Sequence, residues 1–420
     1  MQHRSQKLAR RDFLRLGGAG ALVLLGGGAL TASGRIQPAR AASARAPAAL
    51  PRGAPPPVFL RLAATDGHIS LPGRAAPVYM FGFVAVPLGV TPDDLDIYKG
   101  NVQAPAPIIG VDEEADVYLT VTNIGLVVRP DLDDSHTVHW HGFPNMTAIF
   151  DGVPEVSIAV PVGRDFPYYY KPHRAGTFMY HCHFEDVEHV QMGMTGIIFV
   201  RPAQNGTSLG GFTKFAYNDG DGSTGYQREF ALLLNEIWTT PHDNLEAIQE
   251  TVWPDYHPNY WVINGRSYPD TLLPNNDPSL PSQPISSLIQ VNPGERVLLR
   301  LANLGYEQHA MQLPGIPMKV VGEDATLLRN GAVDLSYLSS TIYIGPGEAR
   351  DVLFTAPAFS ASAPVLADAV GNYNRYYFRS RNYHEQTNGG APGLGGMVTE
   401  VRVYQGSPLP AQTAPNQTYP

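Results

Sequence analysis

From Pro56 onward no long stretch of this chain sustains a 3.6-residue apolar period, and that constrains its fold more than any other feature. Short runs of alternating or β-branched residues take the place of helices: DVYLTVT (116–122), GIIFV (196–200), EFALLL (229–234), RVLLRL (296–301), ARDVLF (349–354) and VTEVRV (398–403). Gly, Pro, Asn and Asp separate them, drawn from 42 Gly and 38 Pro. Many short strands with turn residues between them predict an all-β chain built as a sandwich or barrel. A weak repeat sharpens this. Pro107–Asn123 has an extended run, an acidic turn and a strand ending in Asn, and Leu288–Asn303 has the same layout. Two copies of one sandwich are the simplest explanation.

The predicted organisation is an export signal over 1–45, a first domain over 56–205 and a linker over 206–228. A second domain follows over 229–405, and a disordered tail over 406–420. The signal rests on the twin arginines Arg10 and Arg11, the loose apolar stretch Gly17–Ala32 and small residues near Ala39–Ala44. It predicts export by the twin-arginine route, to the periplasm, the cell surface or the medium. The net charge of −9, with no basic run beyond the N-terminus, argues against a nucleic-acid partner.

An exported chain with one cysteine makes no internal disulfide, so Cys182 is either inert or employed. It stands in His181-Cys182-His183, with His189 and Met194 downstream. Two imidazoles, a thiolate and a weak axial Met form the ligand set of a blue-copper site. Met194 is preferred over Met192 as the axial candidate, with Gly193 permitting the turn between them. Upstream lies H-x-x-H-x-H, formed by His136, His139 and His141. In a strand, residues two apart share a face, so His139 and His141 point together. His181 and His183 do likewise, with Cys182 on the opposite face. One strand then serves two metal sites with only the cysteine backbone between them. His173 lacks a partner at ligand spacing and reads as structural.

The segments HTVHWHGF (136–143), FDGVP (150–154) and AGTFMYHCHFEDVEHVQMGM (175–194) closely resemble the multicopper oxidases, in their two-domain, laccase-like form with blue copper in the first domain. The resemblance extends over about 56–405 and implies two cupredoxin-like Greek-key β-sandwich domains. It implies that His136, Cys182, His189 and Met194 hold the type 1 copper, that His139 serves a type 2 copper, and that His141, His181 and His183 serve the type 3 pair. The implied reaction is one-electron oxidation of a phenolic, amine or metal-ion donor, coupled to reduction of dioxygen to water. Asp151 resembles the family's acid near the oxygen-reducing site, and a turn Asp before Gly152 is the plainer reading. Electrons are expected to come in at His189, whose ring edge commonly lies near the surface in such loops. Glu185, Asp186 and Glu188 surround it, as a solvated acidic loop or as a field favouring cationic donors.

The pattern breaks in the second domain. A complete cluster in this family takes eight histidines, four from each of two domains. With His309 set over His136, Gln312 stands where His139 does and Pro314 where His141 does. The segment 373–390 offers His384 and no second H-C-H. The missing ligands imply a homo-oligomer that pools first-domain histidines, a separate ligand-completing subunit, or a His139/His141/His181/His183 set that holds only one or two coppers. Two other readings remain. One is a blue-copper electron carrier without oxygen chemistry. The other, copper nitrite reductase, fits less well, because that family has a carboxylate at the position of His139 and no His after its cysteine.

Overall fold

Strand β4 (Val117–Asn123) shows why the chain folds as sheets. Val117, Leu119 and Val121 are fully buried, while Tyr118 is exposed and Thr120 half-buried, the two-residue period of a strand with one face on a core. In the computed structural model, which describes residues 53–420 other than 146, 249, 250, 417 and 420, β4 pairs in parallel with β1 (Val58–Ile69). With β2 (Val78–Ala85) and β6 (Arg164–Tyr170) they form one sheet in the order β2-β1-β4-β6. A second sheet holds β3 (Ile108–Asp112), β5 (His139–His141), β7 (Gly176–His181) and β8 (Thr195–Arg201), in the order β3-β8-β7-β5. Leu62, Phe81 and Leu119 from one sheet meet Trp140, Tyr180 and Ile198 from the other in a single core. Each such side chain contributes about 1.5–3 kcal/mol by leaving water.

The second half repeats this plan with additional strands at the sheet edges. β9 (Arg228–Ile237) is parallel to β12 (Arg296–Asn303), as β1 is to β4. β10 (Tyr260–Ile263), β14 (Met318–Glu323) and β16 (Ala349–Thr355) join that sheet, and two short strands, Thr326–Leu327 and Tyr337–Ser339, pair with β14. Opposite it lie β11 (Ile289–Val291), β13 (His309–Gln312), β15 (Thr341–Ile344), β17 (Asn372–Ser380) and β18 (Val398–Tyr404). Two asparagines mark the correspondence. Asn123 donates through its amide to the carbonyls of Asp134 and Val160, and Asn303 donates to those of Glu307 and Ile344. Each also accepts from the N–H two residues on.

The two halves join through a buried polar network. The Thr177 hydroxyl, on β7, donates to Asp351 at 2.6 Å, and Arg300 pairs with Glu229 at 2.8 Å and Asp351 at 3.4 Å. The segment 206–228, expected as a linker, is folded between the halves. Phe215 and Ala216 are buried there, and Asp219 accepts from Gly222 and Thr224. The expected disordered tail is a correction. Asn416 bonds Ala231 and Ser286, Gln412 bonds Glu229, and β19 (Thr418–Tyr419) adds to the first half's sheet beside β3. Its polar composition hid this, because two amide side chains, backbone pairing and the packing of Tyr419 on the first half's core hold it together. The expected export signal lies outside the described residues, and no described helix is long and apolar enough to cross a membrane.

Candidate metal centre

The first ligand set is assembled from three places in the chain. His136 is pinned by a two-way backbone bridge to Val160, at 3.1 and 2.8 Å. Cys182 follows β7, and its N–H donates to the Met194 carbonyl. His189 lies on a short helix, α1 (Asp186–Gln191), and its carbonyl accepts the Met194 N–H. Cys182 Sγ stands 3.3 Å from His189 Nδ1 and 3.9 Å from His136 Nδ1. The three ligand atoms lie within 4.8 Å of one another, all buried. Met192 and Met194 are both fully buried in the same core, but the Met192 carbonyl accepts from Phe81 while Met194 is tied by its backbone to Cys182 and His189.

Burial governs the electrostatics. It pushes the Cys182 thiol up to about 12, holds His136 well below its usual value and lowers His189 to about 4. Neutral imidazoles present lone pairs, and a metal must displace the thiol proton to bind. The Thr137 N–H donates to Cys182 Sγ at 3.4 Å, a contact that stabilises negative charge on sulfur. Two imidazole nitrogens and one sulfur, dry and convergent, fit copper of the blue type.

The second set lies across the same strand. His139 on β5 faces His181 on β7 in direct register. Nitrogens of His139, His141 and His181 lie within 4.8 Å of one another, and the His183 ring sits 5.2 Å from that of His139 and 5.4 Å from that of His181. All four predicted imidazoles are therefore together. His139 Nδ1–H donates to the Asp151 carbonyl at 2.6 Å, and His181 Nδ1–H to the Cys182 carbonyl at 2.8 Å, which leaves each Nε2 free for a metal. Gly152 makes the Asp151 contact possible. Its φ is +79°, and a Cβ there would come within 2.3 Å of the Val138 oxygen. The Asp151 carboxylate accepts from Asn145 and lies 3.6 Å from His139 Nδ1. Burial lowers His181 to about 3 and also lowers His139 and His141. From the second half, Gly347 packs against the His141 ring.

One expectation fails. The His189 ring is fully buried under Phe81 and Phe184, with no edge at the surface. Its Nε2 lacks a hydrogen-bond partner and lies 3.9 Å from an Asp134 oxygen that also lacks one. Asp134, Glu188 and His189 bring ligand atoms within 4.8 Å of one another. Burial, then Glu185 and Glu188, raise the Asp134 carboxyl to about 6. Sequence reasoning missed Asp134, although it stands two residues before His136. His173 is exposed and pairs with Glu114, as its structural reading required.

The register of the second half defines what it lost. Cys182 N–H bonds the carbonyl of Met194, and Ser380 N–H bonds that of Met397. His139 pairs with His181, and Gln312 with Arg379. Ser380 thus occupies the place of Cys182, while Arg379 and Arg381 flank it in place of the two histidines.

Two Greek-key sandwiches with this Cys–His set define a copper protein of the cupredoxin fold. Family models described as multicopper oxidase match residues 90–205 and 228–391, between them more than half of the chain. The chain belongs to the multicopper oxidase family. It is 27% identical to "Laccase-3" of Oryza sativa subsp. japonica over 67% of its length, and spans 42% of that relative. A blue copper oxidase from Nitrosomonas europaea matches 83% of this chain and 86% of its own, at 25% identity and a TM-score of 0.60. A copper nitrite reductase from Nitrosomonas europaea, at 17% identity and a TM-score of 0.58, shares the fold.

Proposed function

We propose that this chain is an exported copper-dependent oxidase that takes single electrons from a phenol, an aromatic amine or a reduced metal ion and delivers them to dioxygen, forming water. The supporting observation is the adjacency of the two ligand sets. Cys182 Sγ turns to His136 and His189, while His181 and His183, its chain neighbours, turn to His139 and His141. Copper held there would supply one-electron redox chemistry at the first set and an oxygen-binding centre at the second.

The chain's own residues do the rest. The peptide bonds around Cys182 link the two sets covalently, so electrons need no solvent crossing. Asp134 and Glu188 place negative charge beside His189 Nε2, which favours a cationic donor or accepts a proton from a phenol. Asp151, held by Asn145 next to His139, is the proton donor to oxygen at the second set.

Gln312, Arg379 and Arg381 stand where the second half would carry cluster ligands, so the missing imidazoles come from a homo-oligomer or a partner subunit. The same loss favours one other reading, a single-copper electron carrier. Arg10 and Arg11 support export by the twin-arginine route. Oxygen uptake by the copper-loaded protein with a phenolic donor tests the proposal. One O2 consumed per four donor electrons, without peroxide, supports it. Donor oxidation that needs a second protein and consumes no oxygen supports the carrier.

A further inference from the structure

In the second half, the counterpart of the blue-copper pocket holds a chain of buried ions. His309, at the place of His136, bonds Glu236 through Nε2 and Glu385 through Nδ1, both at 3.1 Å. All three residues are buried. The two carboxylates outweigh desolvation and raise His309 to about 9, so both its nitrogens carry protons and neither has a lone pair for a metal.

Glu236 is the hub of this arrangement. Besides His309, its carboxylate accepts from the Tyr256 hydroxyl at 3.0 Å, from the Glu307 N–H at 3.0 Å and from the Tyr306 N–H. Gly305 is required there, since a Cβ would fall 2.0 Å from Glu236 Oε2. The loop 305–307 is thereby fixed, and with it Tyr306, whose ring packs on Tyr256 with centroids 5.2 Å apart.

Both outward connections of the hub end on α1, the helix that carries His189. The Tyr306 hydroxyl donates to the Val187 carbonyl. The Glu236 carbonyl accepts from Gln191 Nε2 at 2.8 Å, and Gln191 Oε1 accepts the Trp238 N–H at 3.1 Å. The helix needs such support. It has six residues, is preceded by Glu185 in the left-handed region (φ 48°) and has no side-chain N-cap bond.

We infer that the second half's counterpart pocket is a latch that positions His189: the Glu236 carboxylate, held by His309, anchors Tyr306 at one end of α1, and the backbone at Glu236 and Trp238 clamps Gln191 at the other. The inference rests on His189 being a copper ligand. It gives the half without copper ligands a role in tuning the copper of the other, because ligand placement sets the spectrum and potential of such a site.

The test uses Tyr306→Phe, Gln191→Met and His309→Gln in the full chain. Amide hydrogen exchange on metal-free protein is measured first. All three variants are expected to speed exchange in 186–192 by tenfold or more, with β4 and β12 unchanged. After copper loading, the blue band and the copper hyperfine splitting are expected to shift in Tyr306→Phe and Gln191→Met, and His309→Glu to fail to rescue His309→Gln. Unchanged exchange in 186–192 in Tyr306→Phe and Gln191→Met overturns the latch, as does a fall in melting temperature with wild-type spectra. The exchange experiment is run without copper, so its outcome stands whether or not His189 binds metal.

Discussion

His181 and Cys182 are consecutive residues that belong to different ligand sets. The His181 ring lies 5.3 Å from that of His139, while the Cys182 sulfur lies 3.3 Å from His189 Nδ1. The His181 Nδ1–H donates to the Cys182 carbonyl at 2.8 Å, so the peptide linking the two sets also fixes the tautomer of one member. Alternate side chains of an extended backbone point to opposite sides, and the chain uses that at the end of β7 to turn neighbouring residues to two different ligand sets.

Replacing Cys182 by Ser removes the thiolate and leaves the shape nearly unchanged. The Cys182→Ser protein, loaded with copper, is expected to lose the strong visible absorption of a blue site, with its circular dichroism intact. Cys182 is the one cysteine of the chain, so retention of the colour would overturn the blue-copper assignment.

His141 belongs to the second set, and its ring packs against Gly347 of the second half. His141→Ala is expected to keep the blue band and cut oxygen consumption by a hundredfold or more, about 2.7 kcal/mol in barrier. Unchanged oxygen uptake would remove His141 from the oxygen-reducing site.

Asp134 presents an unpaired oxygen toward His189 Nε2. Asp134→Ala is expected to lower kcat/KM for a cationic donor such as ferrous ion by about tenfold, ~1.4 kcal/mol, and to change a neutral donor less. Steady-state kinetics on the two donors check this, and equal losses would assign Asp134 a structural role.

The folded pKa of His309, raised to about 9, exceeds its ordinary value of 6.5. A group bound more tightly to its proton in the folded state stabilises fully below pH 6.5, and by linkage that contribution falls as pH rises toward 9. Denaturant unfolding at several pH values is expected to show stability dropping between pH 6.5 and 9, with a smaller drop in His309→Gln. Equal slopes would contradict a protonated His309 between Glu236 and Glu385.

The sequence made the copper chemistry legible because ligand identity and two-residue spacing are local properties. The pairs His139/His141 and His181/His183 were read from the two-residue alternation of an extended chain, and the four rings lie together. The repeat between Pro107–Asn123 and Leu288–Asn303 was legible for the same reason, and strand register then carried it to Ser380 and Arg379. What escaped was tertiary. The burial of His189 depends on Phe81, more than a hundred residues away in the chain, and on Phe184, whose packing sequence alone does not reveal. Asp134 gained its place from a loop held by Asn123. The tail at 406–419 looked disordered because its contacts are tertiary: amide and backbone bonds to Glu229, Ala231 and Ile109, and the packing of Tyr419 on the first half's core, which no local pattern encodes.

The central claim is that one chain holds copper at both ligand sets, and counting copper per chain tests it most directly. Elemental analysis of the purified, copper-loaded protein, with native mass on the same sample, is expected to give two or more coppers per chain in an assembly larger than one chain. One copper per chain, in any assembly, would contradict the oxidase account and leave a blue-copper electron carrier.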